Sequence, residues 1–503
     1  MPKSHKNSIL KLRRTISRTP GLSFITNTYR NLIKIRSYKV YTAPRKPVSL
    51  SKKTIHDYNK TRTAHNYKYL CHAPFTNLYF SYGGKIGVCC YNRDNIFGNW
   101  PSTRISDAWN SEQMKDLRNK MQKCDLSAGC YCCQVQWEEK AYTTVLARNY
   151  DYFQPAGDYP VSMEFELSNR CNLECIMCSE ENSSKIAKNK LGQEEKILPY
   201  NDEFVEELRE FIPHLKSTKF MGGEPFLIPV YYKIWDLIIE LNPACEIVVQ
   251  TNGTILNDKI KDLLEKGNFS ISVSIDSIKK ETYEQIRKGA KFEEVMNNLN
   301  YFIDFCQQKN RFIGIACCFI QQNWNEIPDF INHFNKLQIP LTFNRVWSPP
   351  NCSIWESSYE ITSKILEYYK TIKFNPKTQI EHRNTEAFKD LINLVESWNE
   401  HEKLKLKELN KFTDIPIDEL EKKVQNHIFL LASGDKLDIE KQKIIQTKLE
   451  NTIYTFRDNK GYRELLIKAM NIPAEILHTQ ILNSTEEKLM EQLRELKQSG
   501  EIE

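Results

Sequence analysis

"VSMEFELSNRCNLECIMC", residues 161–178, runs from a strand-like stretch straight into three cysteines spaced four and three residues apart. Three thiols in one short loop is an awkward number. A structural zinc site normally closes with four ligands, and disulfides take cysteines two at a time. The position left open for a fourth ligand is therefore the feature that needs an explanation.

Working outward from this loop, the chain alternates strand and helix from about residue 155 to 350. The strand candidates are "VSMEFELSN", "STKFMGG", "EIVVQTNG", "SISVSIDS", "RFIGIACCFI" and "LTFNRVW", and between most of them lie amphipathic helical runs such as "PVYYKIWDLIIEL", "NDKIKDLLEKG" and "EIPDFINHFNKL". Six such alternations imply a parallel sheet covered by helices. The expected architecture is α/β, a partial (β/α)6 TIM-like barrel, whose functional residues belong at the C-terminal ends of its strands. The cysteine loop, "GGEP" at 222–225, "TNG" at 251–253 and "SIDS" at 274–277 all fall where a strand stops.

Three further regions flank this core. Residues 1–65 form a basic, flexible leader: residues 1–62 hold sixteen Lys or Arg against one acid, Asp57. Three readings stand side by side. The leader is a solvated arm, a contact for an acidic partner such as a leader peptide, nucleic acid or a membrane surface, or an organelle transit peptide. Residues 66–140 form a small cysteine-rich α+β module, with "YFSYGGKIGVCCYN" as a hairpin around Gly83–Gly84 and "ISDAWNSEQMKDLRNKMQ" as a helix. Residues 351–503 are Lys/Glu/Leu-rich with few turn signals, a mainly helical extension.

Composition narrows the class. The chain has 503 residues, 40% of them hydrophobic, enough for a large core, and "FIGIACCFI" is among its longest apolar runs, too short to span a bilayer. No secretory h-region opens the sequence. Fifteen cysteines, many clustered too tightly for ordinary pairing, fit metal ligation in a reducing compartment and place the protein in the cytoplasm.

Thiolates hold iron–sulfur clusters, and a cubane [4Fe-4S] needs four ligands. Cys171-x3-Cys175-x2-Cys178, taken with its strand-end neighbours, resembles the radical SAM superfamily. That resemblance implies a cluster whose open iron binds S-adenosylmethionine, with cleavage of the sulfonium to a 5′-deoxyadenosyl radical. It also implies an electron donor such as flavodoxin or ferredoxin. "GGEP" resembles the motif after the second strand: Gly222 and Gly223 allow close backbone approach, and Glu224 is expected to accept from the SAM ammonium. Ser274 and Asp276 are expected at the ribose or methionine carboxylate, and Asn252 in the same pocket. Met177 stands where the family often has an aromatic, and its thioether can pack on an adenine ring. Cys317 and Cys318 read as small buried hydrophobes.

The upstream cysteines resemble a SPASM or twitch module. They show an opening Cys-x-x-Pro, a Gly-x-x-Cys after the hairpin, a Gly-Asn, a Trp-Asn and a closing Cys-x2-Cys. Such modules hold auxiliary [4Fe-4S] clusters and usually follow the core, whereas this one precedes it. The expected ligands are Cys71, Cys130, Cys133 and one of Cys89 and Cys90, since neighbours on a strand face opposite ways. Cys124 and Cys132 are spares. The competing reading is a four-cysteine zinc site.

Together the resemblances, over about residues 66–350, imply a radical SAM enzyme of oxidoreductase type that oxidatively modifies a peptide or protein by crosslinking, dehydrogenation or maturation. The rival within the enzyme class is a dehydrogenase or epimerase acting on a carbohydrate or other small molecule. The rival outside it is a non-catalytic metal-binding protein that contacts nucleic acid through the basic arm.

Overall fold

The computed structural model describes residues 48–490, apart from 94, 156, 194–197, 411–414, 431–435, 458–461 and 471–473. The leader up to residue 47 lies outside the described residues. Two compact units divide the chain, one covering residues 45–399 and the other containing residues 400–490.

The first unit is built on one nine-stranded sheet. Its strands are β1 (Asn77–Ser81), β2 (Lys85–Gly87), β3 (Gly98–Asn99), β4 (Ser162–Glu166), β5 (Ser217–Phe220), β6 (Glu246–Thr251), β7 (Phe269–Ser274), β8 (Ile313–Phe319) and β9 (Leu341–Arg345). They lie in the order β3-β2-β1-β4-β5-β6-β7-β8-β9. From β4 to β9 every neighbour is parallel and consecutive, and helices including Pro229–Leu241, Asp258–Lys266, Phe292–Gln308 and Ile327–Lys336 make the crossovers. This is the six-stranded partial barrel expected from the alternation, and it does not close.

The two faces of the sheet differ. Phe165, Phe220, Val249, Val273 and Cys317 point into an apolar layer under the helices. There Phe165 stacks between Phe80, 5.4 Å away, and Phe220, 4.9 Å away. The alternate residues, Glu164, Lys219, Gln250, Ser272, Ser274 and Cys318, fall on the other, concave face. Strands of a parallel sheet buried on both sides read as continuous apolar runs; "SMEFE" and "SISVS" alternate because one of their faces is polar.

The cysteine-rich module is part of the same sheet. β1 and β2 form the expected hairpin, with Tyr79 opposite Gly87 and Phe80 opposite Ile86, turning through Gly83 and Gly84 at φ +91°. β1 then pairs in parallel with β4 along five residues, Asn77 opposite Ser162 through Ser81 opposite Glu166. The run expected as one helix is two, Ile105–Trp109 and Glu112–Gln122. Ser111 accepts from Met114 N and starts the second, a capping preference stronger than the helical pattern around it.

The leader boundary also shifts. Residues 48–65 are built into the module: Lys52–Asn59 is helical, Tyr58 is fully buried against Trp137 at 5.3 Å, and buried Arg62 pairs with Asp151 at 2.6 Å. Basic residues close to the module's core are drawn in by a carboxylate, a partner that composition alone does not reveal. The second unit is helical. Ile417–Ile428, Ile439–Asn451, Tyr462–Met470 and Ala474–Asn483 surround a core that includes Leu420, Val424, Ile445, Leu449 and Leu466. Among the described residues, no helix is long and apolar enough to cross a membrane.

Because Phe165 bridges the module side and the core side of one apolar layer, Phe165→Ala should cost about 3–5 kcal/mol. Urea unfolding of the full chain should show the module and the barrel losing structure together, at a lower midpoint.

Candidate functional site

The loop after β4 is clamped on both flanks. Leu173 is buried in the core, and its carbonyl accepts from Ser183 Oγ at 2.7 Å. Cys171 N donates to Ser184 Oγ at 3.1 Å. On the other side Glu174 N donates to Lys288 O and Ile176 N to Ile286 O, both at 2.9 Å. Within this frame Cys175 shares a thiol hydrogen bond with Cys178, and Cys171 lies within the electrostatic reach of Cys175. Burial pushes the Cys171 thiol up to about 11, and the Cys178 contact followed by burial raises Cys175. Buried thiols of this kind become good ligands once a metal takes up their charge.

The expected strand-end residues surround the loop. Gly222 and Gly223 both have positive φ, and a side chain at Gly222 would meet Ser168 O at 2.8 Å, one at Gly223 the backbone of Arg170. Glu224 N donates to Arg170 O at 2.7 Å, so the second strand-end loop lies directly on the approach to Cys171. Asn252 Nδ2 reaches Cys171 Sγ at 3.9 Å and Asn172 Oδ1 at 3.0 Å. Ser274 is half-buried on the concave face.

The two strand-end carboxylates already have partners within the fold. Glu224 is fully buried, and its carboxylate is taken by Thr251 Oγ1 at 2.8 Å, Asn252 N at 2.7 Å and Phe226 N at 3.2 Å. It ties the ends of β5 and β6 together; Oε1 accepts two of these bonds and Oε2 one, which leaves acceptor capacity on Oε2. Asp276 is likewise engaged: Oδ1 accepts from Cys318 N at 2.7 Å, and Oδ2 lies 2.8 Å from Arg287 Nε. Both carboxylates position the strand ends around the loop, because a buried carboxylate takes the donors that its own fold supplies. Arg287, buried beside Asp276 and Cys175, was not anticipated from sequence. Met177 packs with Ile320, Val346, Cys318 and Cys352 in a small cluster over the loop. Cys317 is core, as expected, while Cys318 is half-buried on the concave face.

A second set of thiols lines a cavity in the module. Cys71, Cys89, Cys130, Cys132 and Cys133 share it with Tyr91, Trp137 and Tyr150. Among the described residues no three metal-ligating side chains already converge on one ion; the thiols border a space. Backbone or amide N–H groups meet four of the sulfurs: Ala73 N at Cys71 (3.4 Å), Asn92 N at Cys89 (3.4 Å), Asn92 Nδ2 at Cys130 (3.7 Å) and the Ala147 N–H at Cys133. Such donors stabilise negative charge on sulfur. Burial raises all four thiols, Cys130 to about 12. Cys90 is not in the cavity; it faces Glu164, Lys219 and Glu166 on the concave face. Cys124 is also outside the lining. The donor set therefore suits a cluster held by Cys71, Cys89, Cys130 and Cys133, with Cys132 beside them.

Between the two thiol sites lies a polar wall that sequence reading passed over. Tyr150, which lines the module cavity, donates to Glu164 Oε1 at 2.9 Å. Glu166 accepts from Tyr79 and, at 2.8 Å, from Arg93. A side chain at Gly222 would come within 2.9 Å of Glu166 Cγ, so this wall reaches the loop over the first site. The signal was available in "SMEFE" and "STKF", where charged residues occupy positions inside central strands.

Residues 165–334 match the family model of the radical SAM superfamily, and residues 71–134 match SPASM, an iron–sulfur cluster-binding domain. Among curated proteins, a GTP 3′,8-cyclase of Clostridium perfringens is 30% identical over 186 residues, covering 36% of this chain and 54% of that one. Molybdenum cofactor biosynthesis protein 1 of Drosophila melanogaster is 24% identical over 267 residues, covering 51% and 45%. The chain spans about half the length of the curated relatives it matches. Among solved structures, Streptococcus suis SuiB bound to precursor peptide SuiA aligns over 52% of this chain and 51% of that one at 14% identity and a TM-score of 0.32, an overlap too loose to carry geometry across.

Glu224 gives the site a pH signature. Burial lifts its carboxyl from 4.5 to about 7 against the hydrogen bonds that lower it. A carboxyl raised on folding adds stability that is complete below the unfolded value and lost as pH rises through the folded one. The SAM-free protein should therefore lose on the order of 3 kcal/mol between about pH 4.5 and 7 from this group. Urea titrations at stepped pH should show Glu224→Gln flattening that decline. For the module, Cys89→Ser should remove about four iron atoms per chain while Cys90→Ser keeps them. Iron analysis and visible absorption check this, and equal losses in both variants would contradict the assignment.

Proposed function

We propose that this chain, which carries a radical SAM domain preceded by a SPASM iron–sulfur module, is an enzyme that reductively cleaves S-adenosylmethionine and oxidatively modifies a peptide or protein side chain. Cys171, Cys175 and Cys178 would hold the cluster that binds SAM, and Cys71, Cys89, Cys130 and Cys133 an auxiliary one. Bound there, these groups supply one-electron chemistry and a 5′-deoxyadenosyl radical able to take hydrogen from an unactivated carbon. The chain's own residues orient and exclude. Gly222 and Gly223 bring a backbone loop within reach of the cysteine loop, Asn252 donates toward Cys171, and Glu224 and the Asp276–Arg287 pair fix the strand ends around it.

The observation that carries the reading is the polar concave face running from one thiol site to the other along a single sheet. A substrate lying on it meets both sites. The same face favours a peptide over a nucleotide. Among the described residues its strands carry Glu164, Glu166 and Glu246 against Lys219, joined by Arg93, with Arg93 already engaged by Glu166 and Glu246 by Ser217 and Ser270. Gln250, Ser272, Ser274 and Asn344 on the same face are neutral hydrogen-bonding side chains. A nucleoside triphosphate carries about four negative charges and needs a surplus of cations; a peptide needs matched donors and acceptors.

The likeness to GTP 3′,8-cyclases favours a second reading, a purine nucleotide substrate. Clustered free thiols need a reducing compartment such as the cytoplasm, and a flavodoxin or ferredoxin would supply the electron.

Anaerobically reconstituted protein should form 5′-deoxyadenosine from SAM under reduction. Cys175→Ala should bring this to background and remove roughly four iron atoms. Unimpaired cleavage in that variant would remove the catalytic assignment. Stimulation of turnover by GTP and not by peptides would replace the peptide reading with the nucleotide one.

A further inference from the structure

We infer that Glu164 and Lys219 form a main-chain grip on the concave face, holding one residue of an extended peptide by its own N–H and C=O; this rests on the peptide reading above.

The two residues stand directly opposite each other on adjacent parallel strands, in the row Tyr79–Glu164–Lys219–Val248. Each has bonding capacity that the fold leaves unused. Glu164 is 8% exposed; its Oε1 accepts from Tyr150, while Oε2 is buried with no partner. Lys219 is half-buried and makes no hydrogen bond or ion pair among the described residues, though its charge is felt at Glu164 and Cys90. A buried acceptor without a donor is costly and rare. That buried acceptor and the half-buried Lys219 ammonium, side by side on a face that also carries Gln250 and Ser272, call for a ligand offering one donor and one acceptor close together.

A peptide residue is such a ligand. Every non-proline residue carries one N–H and one C=O, and in an extended chain both point to the same side, which is how facing antiparallel strands exchange two bonds through a single residue pair. Glu164 Oε2 would accept from that N–H and Lys219 Nζ would donate to that C=O. The pair is neutral overall, so the grip selects the backbone rather than a charged side chain. Its location serves the chemistry. Glu164 is tied through Tyr150 to the wall of the module cavity, and Glu166, one layer above, touches the loop over the three-cysteine site. A residue held here therefore lies between the two thiol sites, with its side chain free.

The test uses full-length, cluster-loaded protein with SAM bound, titrated anaerobically with N-acetylated, C-amidated pentapeptides carrying each of the twenty residues at the centre. At least one should bind the wild type. Glu164→Gln and Lys219→Met should each weaken it at least tenfold, while Lys219→Arg, which keeps the donor, stays within threefold. SAM affinity and iron content should hold within twofold in all three, which separates loss of the grip from loss of the fold. N-methylating the amides of the bound peptide in turn should find one whose loss costs the wild type tenfold and Glu164→Gln nothing further. Unchanged affinity in both weakened variants would overturn the grip and leave a peptide substrate standing. Failure of every peptide to bind the wild type would overturn both.

Discussion

Five residues of β1 pair in parallel with five of β4, and the rest of the site follows from that ladder. An edge strand left unpaired on a parallel sheet exposes a row of backbone donors and acceptors. Here the module that precedes the barrel in sequence closes that edge, so both thiol sites are fixed to one rigid surface. Tyr79 and Glu164 stand opposite each other across the junction, and Phe80 and Phe165 stack beneath it. A module that usually follows the core can thus work from in front of it, because the strand it donates pairs beside the first strand of the barrel whatever the chain order. The stretch from Ser81 to Ser162 holds β2, β3 and several helices, and it supplies most of the lining of the second thiol cavity.

Much of this was legible before the structure. The six strands of the barrel and the hairpin at Gly83–Gly84 were readable, because alternation and turn residues are local signals. The edge pairing of β1 was not. A parallel partnership between segments some eighty residues apart leaves no periodic trace in either. The choice between Cys89 and Cys90 was open for a related reason. Strand alternation says that they face opposite ways, but only the tertiary fold says which way is the cavity.

Glu224 and Asp276 show what a motif does not reveal. Both occupy the expected strand ends, and their carboxylates are engaged by Thr251, Asn252 and Phe226, and by Cys318 and Arg287. A carboxylate buried to this depth gains from every donor within reach, so here it recruits nearby N–H groups and sets loop shape. The partners that make this possible, Thr251 and Arg287, carry no motif of their own, which is why they were missed. Gly223 belongs to the same constraint: only a residue without Cβ lets the Glu224 loop lie on the backbone of Arg170.

The groups that were readable yet unread are the charged ones inside the strands. A central strand of a parallel sheet gains most by being apolar on both faces, and β4 and β5 forgo that at Glu164, Glu166 and Lys219. Glu166 recovers part of the cost through Tyr79 and Arg93. Glu164 recovers only half through Tyr150, and Lys219 finds no partner among the described residues. Burial then raises the Glu164 carboxyl above its ordinary range, the expected response of a carboxylate short of donors. Folding alone gives no reason to keep such an arrangement, since apolar residues of similar size would pack the row without penalty. The imbalance is one that a molecule bound on the concave face would relieve, and its position between the two sets of thiols is the position a substrate of both would have to occupy.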